Sequence, residues 1–266
     1  MSTWVNATRS DQKSSGGVIY PIIVAQLQPR IGFAWTARVL GFILLATSIV
    51  PTVLMKSRAP PRPPRGLFDR AALRDVPYML LNLGFLFGFM GMYIVLYYIQ
   101  LFALARTTIS SILADYLLVI INGSSILGRL VPGYYADRVG AINVLTTVVL
   151  ASTILTFCLL AIRNTAGVVV FSALYGLAIG AFMGLPTAGI VSLSADKSKI
   201  GTRLGMTLTF VGFGVLVSDP IAGAILGRDQ NWVGLIVWCG VLLVASSVSM
   251  VASRIVKVGP GLTRVI

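Results

Sequence analysis

The chain has 266 residues, of which 56% are hydrophobic and 11% are charged. A soluble domain carries about 25% charged residues, so the composition excludes an ordinary water-soluble fold and favours a bilayer as the solvent. The net charge of +13 could indicate nucleic acid, but the basic residues are spread between apolar runs, which argues against that partner.

The first 55 residues divide into a polar start and two apolar runs. Residues 1–13 lack an apolar core, so they are neither a secretory signal nor a transit peptide. A bilayer needs about 20 apolar residues for one helical crossing. Within 14–55, Gly16–Leu27 is therefore only a partial span, while Val39–Met55 is predicted to be one full span.

The rest of the chain is predicted to be a linker, six spans and a tail. Residues 56–75 are rich in proline and arginine, which indicates an exposed linker. Lysine and arginine concentrate in this linker, in alternate loops and in the tail 254–266, which places those segments in the cytoplasm. The six spans within 76–253 are Val76–Ala105, Thr107–Gly128, Val139–Ile162, Asn164–Ala195, Leu204–Gly227 and Gln230–Ser253.

One predicted span carries a stripe of polar residues. At 100° per residue, five polar side chains between Thr107 and Tyr135 fall within about 40° of one line. A charge facing lipid at mid-depth costs at least about 2.5 kcal/mol, so this face should point into protein or a watery cavity. The stripe, a predicted substrate path, comprises Ser111, Asp115, Asn122, Ser125 and Arg129.

Arg129 is the main candidate for binding a solute. Its guanidinium could hold a carboxylate in a two-pronged geometry. An equally weighted alternative is that Arg129 snorkels to the cytoplasmic interface or fixes the sequence that follows it. Asp115 lies fourteen residues earlier, about 21 Å along a helix, so the two side chains cannot form a direct pair.

Three further residues are candidates on other spans. Asn82 and Tyr93 share one helix face with Phe89 and Gln100, which suits an organic substrate or simple helix packing. Asp219 is the second carboxylate inside a span. It is either a titrating group on the path or a residue of the outer interface.

The sequence GRLVPGYYADRVG at 128–140 carries a family motif. It resembles the loop motif of the major facilitator superfamily, in which Gly-x-x-x-Asp-Arg/Lys-x-Gly joins spans two and three of each half. Gly133, Asp137, Arg138 and Gly140 match, and alanine follows where the family usually has a final basic residue. The resemblance implies a cytoplasmic loop whose Asp–Arg pair bridges neighbouring helix ends.

The resemblance extends over nearly all of the chain after residue 14. Residues 16–42 resemble the fifth span, the next loop and the start of the sixth span of fungal monocarboxylate-transporter-like members, and residues from 76 onward resemble spans seven to twelve. This implies an all-α polytopic membrane protein. It would be the six-helix C-terminal half of a major facilitator fold, preceded by one full span and a partial span, and truncated at its N-terminus.

The resemblance also bears on proton coupling. In the monocarboxylate family, an aspartate four residues before the matching arginine is associated with proton-coupled transport. That position is Ser125 here, so the coupling pair is absent.

The predicted function is transport of a small organic solute, a carboxylate or secondary metabolite, by alternating access. The chain contains neither histidine nor glutamate, so a membrane enzyme is disfavoured and no cofactor or metal is expected. The expected partners are the solute, membrane lipid, and a second chain or copy that completes the transporter. The alternative is a truncated remnant or partner subunit that transports nothing itself.

Overall fold

The computed structural model describes residues 3–54, 68–194 and 196–259. Those residues form eight α-helices that are joined by short turns, and they contain no strand. Seven helical segments are long and apolar enough to cross a membrane, which confirms an all-α, multi-pass membrane protein. The helices are α1 (Thr3–Leu54), α2 (Val76–Arg106), α3 (Ser111–Val139), α4 (Ala141–Cys158), α5 (Thr165–Gly184), α6 (Pro186–Leu193), α7 (Ile200–Leu226) and α8 (Trp232–Val258).

Helix α1 differs from the sequence prediction, which placed a partial span at Gly16–Leu27 and a separate full span at Val39–Met55. It continues through Gln28-Pro29-Arg30, and its apolar membrane-length part is Gln26–Ile49. The change of direction comes at Gly32, whose φ of 75° and ψ of 166° separate two helical segments. A residue without a Cβ adopts this conformation with little strain, so the glycine, and not the proline, sets the bend.

The family motif does not form the loop that the sequence predicts. Helix α3 starts at Ser111, where the Ser110 hydroxyl accepts a hydrogen bond from the Leu113 amide at 3.3 Å. It then continues to Val139 and ends at Gly140, which has a φ of 98°. Gly133, Asp137 and Arg138 therefore lie in the last helical turns, and only the final glycine makes the turn.

The predicted span Asn164–Ala195 is broken into α5 and α6. The break falls at Leu185, with Pro186 as the first residue of α6. Proline has no amide hydrogen and disfavours helical geometry in the residue before it, which explains the break. Ala195 lies outside the described residues.

Part of the predicted linker is packed structure. Residues 56–67 lie outside the described part of the chain, but Asp69 and Ala72 are buried, and Ala72–Arg74 form a 3-10 turn. The tail beyond Gly259 also lies outside it.

The helices pack in two extensive pairs that are joined by α4. Helix α2 packs on α8 and also on α7, while α3 packs on α5 and on α1. Helix α4 contacts both α5 and α8. Gly176 and Gly180 of α5 lie directly against the α3 backbone, so these two helices approach as closely as glycine permits.

Candidate functional site

Four aromatic residues on α2, four positions apart, form a row along one side of the helix: Phe85, Phe89, Tyr93 and Tyr97. Phe89 stacks with Tyr93 at 6.0 Å between ring centroids, and Tyr93 lies 5.7 Å from Tyr97. Phe182 of α5 packs edge-on against Phe89 at 4.9 Å. Phe85 is buried and Tyr97 is 55% exposed, so the aromatic row runs from the core to an open face of the bundle.

Arg129 lies beside this aromatic row. It is half-buried on α3, eighteen residues after Ser111, which places it about 27 Å from the start of the helix. Its guanidinium lies 3.9 Å from the Met183 sulfur of α5, and its stem passes within 3.5 Å of where a side chain on Gly184 would begin. It also lies within electrostatic range of Tyr93 of α2. The structure thus places these two predicted path residues on the same side of the bundle.

The other members of the predicted stripe have different neighbours. The Ser125 side chain is buried against α5, and its hydroxyl donates to the Asn122 carbonyl at 2.7 Å. The Asn122 amide donates to the Leu118 carbonyl at 2.9 Å. These are bonds within α3, which polar side chains in an apolar helix commonly make. Both residues therefore support α3 and its contact with α5 beside Arg129.

The two carboxylates inside the spans lie near the helix ends that are predicted to face the outer side: Asp115 near the start of α3 and Asp219 near the end of α7. Asp115 is exposed near the start of α3 and accepts a hydrogen bond from the Gln100 amide of α2. Asp219 is half-buried on α7, seven residues before the end of that helix, and interacts electrostatically with Tyr97. Neither carboxylate lies beside Arg129, in agreement with the expected separation of Asp115 from that residue.

Asn82 belongs to a buried hydrogen-bonded chain between α2 and α7. Thr207 of α7 donates to the Asn82 side-chain oxygen at 2.6 Å. The Tyr78 hydroxyl lies 3.1 Å from the Thr207 hydroxyl and donates to the Arg203 carbonyl at 2.8 Å. Asn82 thus takes part in the contact between α2 and α7. This contact corresponds to helix packing, one of the two roles that the sequence suggested for this face of α2.

The same contact ends in a cluster of four charges, Asp69, Asp75, Lys199 and Arg203, that we call the cytoplasmic charge cluster after the side of the membrane predicted for these helix ends. Arg203 pairs with Asp69 at 3.3 Å and with Asp75 at 3.0 Å, and Lys199 pairs with Asp69 at 3.2 Å. Arg203 also lies over the Tyr78 ring, 5.2 Å from its centroid. The cluster fixes the end of the linker and the start of α2 against α7.

The electrostatics of the cluster are visible at Asp69. Burial works to raise the pKa of this carboxyl, but hydrogen bonds and positive charge from Lys199 and Arg203 outweigh it and hold the pKa below the ordinary 3.8. Sequence reasoning missed the cluster because it assigned all of 56–75 to an exposed linker. The available signal was that charges of both signs lie at span ends on the same predicted side of the membrane.

The motif residues make local contacts. The Arg138 side chain turns back along α3, bonds to the Tyr134 hydroxyl and lies over that ring, 4.4 Å from its centroid. Asp137 is exposed. Among the described side chains, the ion pairs are those of the cytoplasmic charge cluster, so the expected bridge from the motif's Asp–Arg pair to another helix is not formed there.

The family assignment rests on both fold and sequence. The described residues form a multi-pass helical bundle, and residues 13–218 match the sequence model of the Major Facilitator Superfamily. The chain belongs to the major facilitator superfamily. The predicted membership of that superfamily is thereby confirmed, while most of the 128–140 motif is helical here.

Several curated members of the major facilitator superfamily are similar to the chain. It is 43% identical over 242 residues to the MFS-type transporter dbaD of Emericella nidulans, covering 90% of the chain and 54% of that relative. It is 36% identical over 248 residues to the MFS-type transporter pynF of Aspergillus niger, covering 91% and 57%. It is 32% identical over 245 residues to the Aspyridones efflux protein apdF of Emericella nidulans, covering 92% and 50%.

The chain thus spans about half the length of the curated relatives it matches. These relatives are fungal proteins, in agreement with the predicted resemblance to fungal transporters, and they support the predicted location of the chain in a membrane.

Proposed function

We propose that the chain supplies one half of a transporter that moves a small organic solute across a membrane by alternating access. The observation that carries this proposal is the half-buried Arg129, which packs against α5 within electrostatic range of Tyr93 in the aromatic row on α2. A cation within an otherwise apolar bundle is expensive unless it faces protein or water, and such residues commonly mark solute pathways. The relatives named as transporters support the same class of function.

The solute that suits this place is an organic carboxylate or an acidic secondary metabolite. A guanidinium binds a carboxylate through two parallel hydrogen bonds, and the rings of Tyr93 and Phe89 offer an apolar surface to the body of the solute. Asn122, Ser125 and Asn82 hold the surrounding helices in this proposal, while Asp219 lies at the outer side of the same face. The chemistry involves binding and movement, with no catalytic step.

The closer placement among monocarboxylate-transporter-like members is also part of the proposal. It rests on the resemblance of residues 16–42 and of the six later spans. Because Ser125 stands where that family has an aspartate, we propose that Arg129 binds the anion without a proton-carrying partner on its own helix. Flux should then follow the solute gradient and respond weakly to a pH gradient.

Transport by this mechanism needs a second helical unit facing the first. Helix α7 supports this requirement, because only 17% of its most apolar 18-residue stretch is buried and the Phe213 side chain is 67% exposed. A groove of about 800 Å³ runs along α7 and α2, between Met79 and Phe213. We propose that another helical unit, in the same polypeptide, in a second chain or in a second copy, covers this face.

The test is solute flux in sealed vesicles that contain this chain. The probe is radiolabelled p-aminohippurate, an aromatic carboxylate with low passive permeability. We expect uptake above that of empty vesicles, a strong reduction in Arg129→Ala, and no reduction in Arg163→Ala, which removes an exposed arginine from an outer loop.

Each outcome has a separate meaning. Uptake at the empty-vesicle level for the unaltered chain would contradict transport by the chain alone and favour the remnant or partner-subunit alternative. Equal uptake by the unaltered chain and Arg129→Ala would contradict the role of Arg129 while leaving transport standing.

A further inference from the structure

A second cavity lies near the outer ends of α2 and α3, away from Arg129. It has a volume of about 810 Å³ and is closed on one side by the first segment of α1. Its walls include Val24, Pro29 and Leu118, which are apolar. Sites for small organic molecules commonly have volumes of about 300–1,000 Å³ and mostly apolar walls, so the size and lining suit one such molecule.

A few polar groups are placed on the wall of this cavity. Asp115 comes from α3, Gln100 from α2, and Tyr20 and Gln28 from α1. They belong to three separate helical segments, so the cavity depends on the packing of α1 against α3. A few polar groups among apolar walls are the arrangement that fixes the orientation of a bound organic molecule.

Asp115 is the charged residue among the described residues that line the cavity. The Gln100 amide donates to one of its oxygens, and a carboxylate can accept about four hydrogen bonds in all. The described ion pairs all belong to the cytoplasmic charge cluster, so no described side chain neutralises Asp115 by an ion pair. Asp115 lies about 6 Å from the start of α3, where a solute from the outer side can reach it.

We propose that this cavity binds an organic cation, a molecule with a protonated amine on an apolar body. The Asp115 carboxylate would accept a charge-assisted hydrogen bond from the ammonium. The Gln28 amide oxygen can accept another, and the Tyr20 ring offers a face for a cation–π contact. Val24, Pro29 and Leu118 would contact the apolar body.

Two other ligands fit the cavity less well. A carboxylate solute is repelled by Asp115 and suits Arg129, about 21 Å away along α3. A metal ion needs several ligating side chains, and the described residues contain no group of three or more histidine, cysteine or acidic residues that could hold one. An organic cation satisfies both the charge and the volume.

The experiment measures binding to the purified chain in lipid nanodiscs, with radiolabelled tryptamine as the probe. Indole-3-propionate is the matched probe, because it carries a carboxylate on the same ring system. We expect saturable tryptamine binding that exceeds that of empty nanodiscs, and much weaker displacement of bound tryptamine by indole-3-propionate than by unlabelled tryptamine.

Variants locate the site. Asp115→Asn should weaken tryptamine binding about tenfold or more, as expected for loss of a hydrogen bond to a charged group. Asp115→Glu, which keeps the charge, should retain most of the binding. Asp229→Asn, which removes an exposed outer carboxylate elsewhere, should leave binding unchanged.

Three results would overturn the proposal: no saturable tryptamine binding to the unaltered chain, equal tryptamine binding by Asp115→Asn, or displacement of bound tryptamine by indole-3-propionate as effectively as by unlabelled tryptamine. An equal thermal unfolding midpoint for Asp115→Asn and the unaltered chain would show that a loss of binding is not a loss of folding. Because this assay measures binding and the p-aminohippurate assay measures flux, either proposal can fail while the other stands.

Discussion

The contact between α3 and α5 offers a sharp test of how these helices pack. Gly180 of α5 lies against the backbone of Ser125 in α3. A Cβ added at Gly180 would overlap the Ser125 carbonyl oxygen and lie 2.7 Å from its Cα and 2.8 Å from its carbonyl carbon. These are backbone atoms, so no side-chain rotation can relieve the overlap, and Gly180→Ala must push the two helices apart.

The expected loss of stability in Gly180→Ala follows from these distances. Ordinary van der Waals contact begins at 3.4 Å, so the backbones must separate by roughly 0.7 Å or more at this point. A gap of about 0.5–1 Å forfeits a quarter to a half of the dispersion energy of the atoms facing it. Overpacking of this kind costs about 1–3 kcal/mol, and the better helix propensity of alanine returns at most about 1 kcal/mol. We expect Gly180→Ala to lower the free energy of unfolding by about 1–2 kcal/mol.

The matched control is Gly123→Ala, on the other helix of the same pair. A Cβ added at Gly123 meets nothing within 4 Å, so this variant gains helix propensity without overlap. Reversible unfolding in mixed dodecyl sulfate micelles, followed by far-ultraviolet circular dichroism, measures both variants. The reasoning is refuted if Gly180→Ala is as stable as the unaltered chain, or if both variants are destabilised equally.

Three further predictions concern the charges and hydroxyls between α2 and α7. Arg203→Met leaves Asp69 and Asp75 without their shared cation, so its thermal unfolding midpoint should fall well below that of Lys199→Ala, which removes only the more exposed cation. Because the pKa of Asp69 is lowered in the folded chain, its stabilising contribution is present above the ordinary value of 3.8 and is lost as the pH falls through the lowered value. Midpoints measured between pH 7 and pH 3 should therefore drop at the acid end, and less so in Asp69→Asn. Tyr78→Phe removes the hydroxyl that bonds to Arg203 and Thr207, and should cost about 1 kcal/mol in the same micelle titration; an unchanged midpoint would contradict that bond.

The sequence predicts the type of each element well and its ends less well. Apolar runs of membrane length leave few alternatives to a helix, because a bilayer satisfies no exposed backbone group. The ends depend on local chemistry that hydropathy does not report. Helix α3 continues through Pro132 in the motif to Val139 and ends at Gly140, whose φ is 98°. Pro186 marks the break between α5 and α6, whereas Pro132 and Pro220 lie inside α3 and α7, so the presence of a proline did not by itself predict where a helix is divided.

The candidate site was predictable only where its residues share a helix. A helical wheel groups Arg129 with Ser125 and Asn122, but it cannot say which neighbouring helix each side chain meets. The structure shows that Ser125 lies against Gly180, while Arg129 lies beside Met183 and interacts with Tyr93. Such contacts join residues far apart in sequence, and a single sequence carries no direct signal for them. The cytoplasmic charge cluster was missed for a different reason: residues 56–75 were all assigned to an exposed linker.

Helices α3 and α7 differ in how much of their surface the described chain covers. Helix α3 is packed between α1 and α5, whereas α7 leaves Gly201, Gly205 and Gly212 with open space where a side chain would begin. Each glycine in a helix costs about 1 kcal/mol relative to alanine in propensity, and lipid tails gain nothing from a small residue. Small residues on one helix face do allow another helix to approach its backbone closely. The open glycines of α7 therefore support the proposal that another helical unit, and not lipid, covers this face, and the chain spans about half the length of the relatives it matches.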